Sequence, residues 1–202
     1  MAEVSSVYIL AIARAPPTDH YPTRRPHMAL SLYELSIPNY LQILGGVSRV
    51  LQKGADYAAS SDLDLGAIVD YRMREDMFPF SFQVISVWHH SLGAINGIRE
   101  GLFQPPPSLG ALSYRELQGL VSEALDKLGV VSREEIDALE SRPMLFKVGD
   151  RETPFSTTDF IQSFSFPNFY FHAATTYGIL RTQGVPLGKM DFLGQIRTST
   201  GG

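Results

Sequence analysis

The sequence predicts a mainly α protein, a four-helix bundle with one small β-hairpin before the last helix. Three observations carry that expectation. Serine-led helix starts recur as Ser31-x-x-Glu34, Ser113-x-x-Glu116, Ser132-x-x-Glu135 and Ser156-x-x-Asp159. In such a pattern the hydroxyl accepts from the backbone N–H three residues on, and the acidic side chain reaches back. Apolar residues behind these starts return at helical spacing. One short segment alone reads as a pair of strands around a tight turn.

Residues 1–27 read as an N-terminal extension, expected to be disordered. Pro16-Pro17, Pro22 and Pro26 fall close together there and forbid a regular element. The folded domain is expected over residues 28–194, followed by a tail at 195–202. Its first helix starts at Ser31, and Leu41, Leu44, Val47 and Leu51 mark its apolar stripe. Pro38 lies inside, so a kink or a restart at Ser36 is expected. A short helix is expected near Leu65–Arg72. A second long helix is expected from about Pro79 to Arg99, with Val84, Trp88, Ser91, Ile95 and Ile98 on one stripe. Gln104-Pro105-Pro106-Pro107 ends this unit. Ser113 opens a third helix to about Leu128, and Ser132 opens a short one that Pro143 ends. Leu145–Val148 and Arg151–Thr153 should pair around a Gly149-Asp150 turn. Ser156 caps the final helical stretch, which Pro167 interrupts and Gly184 ends.

Composition narrows the function classes. The 202 residues fit one domain and a tail, with enough length for a real core. A net charge of −4 supplies no basic face for nucleic acid. Cysteine is absent, so disulfides, thiolate nucleophiles and cysteine zinc sites are excluded. No run approaches the roughly 18 apolar residues of a membrane span. Val7–Ala13 imitates a signal-peptide core, but Glu3 is acidic, the run is short and Pro16 would follow the cut. A cytoplasmic protein is expected. Phosphate-binding glycine loops, the GxSxG elbow and HExxH are all missing.

The histidines hold what chemistry the sequence offers. His20 and His27 lie in the extension and read as solvated. His172 has Phe169, Asn168, Thr175, Thr176 and Ile179 around it on a helical wheel, so it should point into the bundle. A buried imidazole needs a partner or a metal, because an unpaired polar group costs about 1–3 kcal/mol. The plainer alternative is a core histidine bonded to a neighbouring helix. His89 and His90 are about 100° apart on their helix and cannot both aim at one point. The wheel favours His89 as the inward one and leaves His90 as a surface or helix-contact residue. His89 and His172 would then face one cavity, with Asn168, Asp76 or Glu75 as a third metal ligand. An HxxxH pair is missing, since Asn168 and Thr176 flank His172 at four residues. The aromatic run Phe164, Phe166, Phe169, Tyr170, Phe171 and Tyr177 reads either as a pocket wall or as ordinary core. Tyr177 is a candidate proton donor, although it lies about 140° from His172 on the wheel.

Several motifs resemble one uncharacterised family. They are Met28-Ala-Leu-Ser-Leu-Tyr33, Asp76-Met-Phe-Pro79, Phe146-Lys-Val-Gly149, Phe166-Pro-Asn-Phe169 with His172, and Leu187-Gly-Lys-Met-Asp-Phe192. The family they resemble lies within the DinB/YfiT-like metalloenzyme superfamily. The resemblance covers about residues 28–194 and implies a DinB-like bundle, often a homodimer. It also implies a divalent metal (zinc, nickel or iron) held by three histidines, one from the second helix and two spaced by four on the last. Carried over, His89 or His90 and His172 match two of these positions, and Asn168 or Thr176 stands at the third.

The expectation is therefore a small-molecule enzyme of isomerase, cyclase or lyase type, acting on a small apolar molecule in secondary-metabolite tailoring. His172, His89 and Tyr177 are its candidate catalytic residues, and His89, His172 and Asn168 its candidate metal ligands. The alternative is a non-catalytic module of the same fold that binds a small ligand or dimerises. A metal-dependent thiol transferase is a third reading and would require stoichiometric metal.

Overall fold

The computed structural model describes residues 30–198. The proline-rich extension, His20, His27 and the expected domain start at 28 lie outside the described residues. Helix α1 (Leu32–Ala59) opens on the Ser31 capping box, with Glu34 N–H donating to Ser31 Oγ at 3.3 Å. It does not restart at Ser36; Pro38 sits inside one continuous helix. Tyr40, Leu44, Val47 and Leu51 turn its apolar face into the core. Helix α2 (Leu65–Asp70) is a short turn capped by Asp64.

The expected second helix exists, but its winding changes midway. Helix α3 (Phe80–Trp88) passes into a π-helical turn, π1 (His89–Gly93), and then into α4 (Ala94–Glu100). Gly101 ends this rod with φ +75°. Strand β1 (Leu102–Phe103) follows and was not legible in the sequence. Helices α5 (Tyr114–Gly129) and α6 (Arg133–Asp137) start at Ser113 and Ser132. Strands β2 (Pro143–Val148) and β3 (Arg151–Ser156) form the expected hairpin, with Val148 opposite Arg151 and Gly149 at φ +57°. The parallel pair β1·β2 completes a three-stranded sheet.

The last rod also begins differently from its forecast. Helix α7 (Thr157–Asp159) leads into a second π-helical turn, π2 (Phe160–Ser165), and then α8 (Phe166–Thr182). Pro167 does not break the rod; it sits in the first turn of α8, directly after the π turn. Helix α9 (Lys189–Leu193) closes the described fold. The main packing pairs are α3 on α8 and α1 on α5, with α9 laid across α1. The sheet rests on π2 through rings: Phe146 lies 4.5 Å from Phe164, and Phe103 lies 5.0 Å from Phe160. No helix among the described residues is long and apolar enough to cross a membrane.

Two contacts fix the bundle. The first joins three elements through hydroxyls. Ser165 Oγ in π2 donates to the backbone carbonyl of His90 in π1 at 2.7 Å. Tyr40 Oη in α1 must then donate to Ser165 Oγ, also at 2.7 Å. The π turn creates the opening for this bond. Ala94 N–H, the regular α-helical partner of the His90 carbonyl, turns to Ser91 O instead. The second contact is the approach of α9 to α1. A Cβ on Gly46 would lie 2.1 Å from Phe192 O, and one on Gly194 would lie 2.4 Å from Gln42 O. Asp191 adds an ion pair to Lys53 at 2.7 Å.

These contacts generate two expectations, both read by denaturant melts. Gly46→Ala should destabilise by roughly 2 kcal/mol, because backbone on both sides cannot yield. Gly45→Ala, which meets nothing within 4 Å, should instead stabilise by up to about 1 kcal/mol through helix propensity. Equal effects at the two positions would contradict the docking of α9. Tyr40→Phe should cost about 1 kcal/mol, and Ser165→Ala about 2–3 kcal/mol, since it strands a buried phenol and a buried carbonyl together. A smaller loss for Ser165→Ala than for Tyr40→Phe would break the relay.

Candidate functional site

His172 projects from α8 towards α3 and is 8% exposed. Its Nδ1 lies 2.8 Å from Gln83 Oε1. The amide of Gln83 has a fixed sense, because its Nε2 donates to Phe78 O at 3.0 Å. Oε1 must therefore accept, His172 Nδ1 must carry the proton, and Nε2 is left with a lone pair. Among the described residues that Nε2 has no hydrogen-bond partner, and it is not sealed from solvent. Phe82 and Phe171 meet the imidazole edge-on, with centroids at 5.8 and 5.2 Å. Burial pushes the His172 pKa down to about 4, so the ring is neutral at pH 7.

His90 is the ring packed beside His172, which corrects the expectation from the wheel. Their centroids are 6.2 Å apart and their planes differ by 16°. His90 is 0% exposed, and neither of its ring nitrogens has a partner. Burial, then the neighbouring His89 and His172, hold its pKa well below the ordinary value. The wheel misassigned His90 because this part of the rod is buried all round. Phe164 covers one side at 5.6 Å, and Phe103 of β1 lies at 5.4 Å. All four residues from His89 to Leu92 are buried.

His89 faces away from His172, towards a cleft beside β1. Its Nε2–H donates to Gln104 O at 2.8 Å and its ring stacks on Phe103 at 4.4 Å. Burial lowers its pKa to about 4, and the bond to Gln104 works weakly the other way. The three imidazoles thus form a file, with His89 and His90 centroids 5.6 Å apart and His90 in the middle.

The remaining candidates do not join this file. Asn168 Nδ2 donates to Phe164 O one turn back at 2.8 Å. Thr176 donates to the His172 carbonyl at 2.9 Å. Tyr177 packs on Phe192 of α9, 5.9 Å between centroids, on another face of α8. Glu75 and Asp76 are exposed in the segment before α3. Of the aromatic run, Phe164, Phe166 and Phe169 are core, whereas Phe171 is 58% exposed and Tyr170 is also exposed. The residues present do not fit the three-histidine metal site that the resemblance implies. His172 Nδ1 is taken by Gln83, Asn168 and Thr176 bond along their own helix, and among the described residues no three metal-ligating side chains converge. Sequence reasoning missed Gln83 and Ser165. The only signal for Gln83 was its spacing, seven residues before His90 and so on the same side of one helix.

The architecture matches a known fold. The crystal structure of a DinB family member protein from Shewanella denitrificans is 21% identical, with a TM-score of 0.71 over 84% of this chain and 96% of that one. At that identity the likeness establishes the fold, a DinB-like bundle. None of the curated proteins matches the chain. Residues 32–193 match the model of a domain of unknown function, DUF1993, and the chain belongs to that family.

Proposed function

We propose that this protein is a small-molecule acid–base enzyme of isomerase, cyclase or lyase type, with His172 as its general base. One observation carries the reading: Gln83, itself anchored on Phe78 O, fixes His172 in the tautomer that leaves Nε2 open and unpaired. A base held by a second group, which is itself held, is the arrangement that nucleophile and proton-transfer sites share. Gln83 Oε1 also accepts from the imidazolium once Nε2 has taken a proton. A base whose pKa lies near 4 suits an already acidic C–H, such as one between two carbonyls. Nε2 takes that proton, and the C–H electron pair becomes an enolate. The enolate is reprotonated at another carbon, closes on a carbonyl, or expels a leaving group, and the imidazolium returns the proton. Phe171, 58% exposed, offers an apolar surface to the substrate beside the base. Apolar dicarbonyl compounds of the kind modified in secondary metabolism have this chemistry.

Nitrobenzisoxazole tests the base without knowledge of the natural substrate. Abstraction of its ring C–H breaks the N–O bond and releases a coloured cyanophenolate. The protein should accelerate this ring opening with an apparent pKa near 4, and His172→Gln should lower the rate by roughly a hundredfold while the fold survives. A rate equal to buffer, or one unchanged in His172→Gln, would leave a non-catalytic binding or dimerisation module as the better reading.

The neutral imidazoles also make stability depend on pH. His89 and His172 titrate near 4 when folded and His90 well below its ordinary value, against about 6.5 when unfolded. The unfolded chain therefore binds more protons between those values. The contribution is complete above about pH 6.5 and is lost as pH falls towards 4. In urea melts His172→Gln should flatten this dependence by about 1.4 kcal/mol per pH unit near pH 5. An unchanged slope would show that His172 is not a buried neutral group.

A further inference from the structure

The rod of α3, π1 and α4 carries a polar stripe that the proposed reaction does not use. His89, Gly93, Asn96 and Glu100 lie along it, and the chain after β1 rises beside it with Pro105 and Pro107. Between them lies a cleft of about 480 Å³, large enough for a small organic molecule.

Its hydrogen-bonding groups have settled senses. The bond from His89 Nε2–H to Gln104 O leaves Nδ1 as an acceptor, and that atom has no partner and is not sealed from solvent. Gly93 keeps it open. A Cβ at that position would stand 2.8 Å from Nδ1 and cover it. Asn96 Oδ1 already accepts from Arg99 at 3.0 Å, so its amide N–H groups are what it has left to offer. The Arg99 guanidinium is paired with Glu135 at 2.6 Å, and Arg142 donates to Arg99 O at 3.1 Å. Among the described residues the Glu100 carboxylate has no ion pair or hydrogen bond partner. The cleft therefore combines a carboxylate outside any ion pair, a neutral ring acceptor and proline walls.

We propose that this cleft binds a small organic cation: an apolar body bearing an ammonium group, with Glu100 as its counter-charge and His89 Nδ1 as its acceptor. A neutral alcohol of the same shape can donate to His89 Nδ1 but brings no charge to meet Glu100. Anions are repelled by Glu100. The site stands apart from His172, so it is open to a regulatory ligand or to a second substrate carrying an amine.

Phenethylammonium is the probe, titrated into nitrogen-15-labelled protein and followed by the amide shifts of Gly93, Gly97 and Gln104. Saturable shifts are expected at these positions. Binding should weaken roughly tenfold in Glu100→Gln, and equally for phenylethanol with the unaltered protein. Gly93→Ala, with its fold checked by thermal melting, should lose binding to a similar degree. His172→Gln should bind as the unaltered protein does, which separates this site from the proposed base. Shifts confined to other residues, equal binding of the alcohol and the cation, or no effect of Glu100→Gln would overturn the proposal.

Discussion

The bundle depends on the relay from Tyr40 through Ser165 to the carbonyl of His90. A π turn disturbs the regular helical ladder, and a buried backbone carbonyl cannot be left without a donor. Here the donor comes from a second π turn on the facing rod, and a tyrosine on a third helix holds that donor in place. The irregularities of the two rods therefore answer one another. Straightening the first rod would leave the Ser165 hydroxyl without its acceptor, and straightening the second would leave the His90 carbonyl without that donor.

This constraint sets the position of the histidines. Ser165 grips the backbone of the residue whose side chain lies against His172. The relay thus fixes where the His90 ring stands, while Gln83 fixes how the His172 ring is turned. The two imidazoles are held by different means, one through its main chain and one through its side chain. Only the second retains an accessible lone pair. His90, with both nitrogens unpaired in the interior, is a destabilising feature by ordinary accounting. Its neighbours supply the dry surroundings that keep all three rings neutral.

Local signals made most of the fold legible. The Ser31 and Ser113 capping boxes mark their helices because a hydroxyl and a carboxylate three residues apart have one common use at a helix start. Gly149-Asp150 gave the hairpin and its register. Less legible was whatever depends on contacts between rods. Neither π turn has a sequence signature. The two-residue strand β1 forms only because β2 is there to pair with it. His172 was placed inwards correctly, because its face is apolar along its own helix. His89 and His90 were ranked the wrong way round, because a wheel assumes one wet side and this part of the rod has none. Gln83 defines the tautomer of His172 from 89 residues away, beyond the reach of any spacing argument.

The approach of α9 to α1 bears on how the closing motif, Leu187 to Gly194, should be understood. None of the residues of α9 is buried, and Met190 is 58% exposed. The helix is seated by backbone lying where Gly46 and Gly194 have no side chain, with Asp191 reaching back to Gly188 N–H and out to Lys53. Such a joint is specified by atoms that are missing. A saturation scan would show a few intolerant points scattered through a permissive segment on the surface. That pattern is readily mistaken for the footprint of a catalytic loop, whereas here it records the closeness of two main chains.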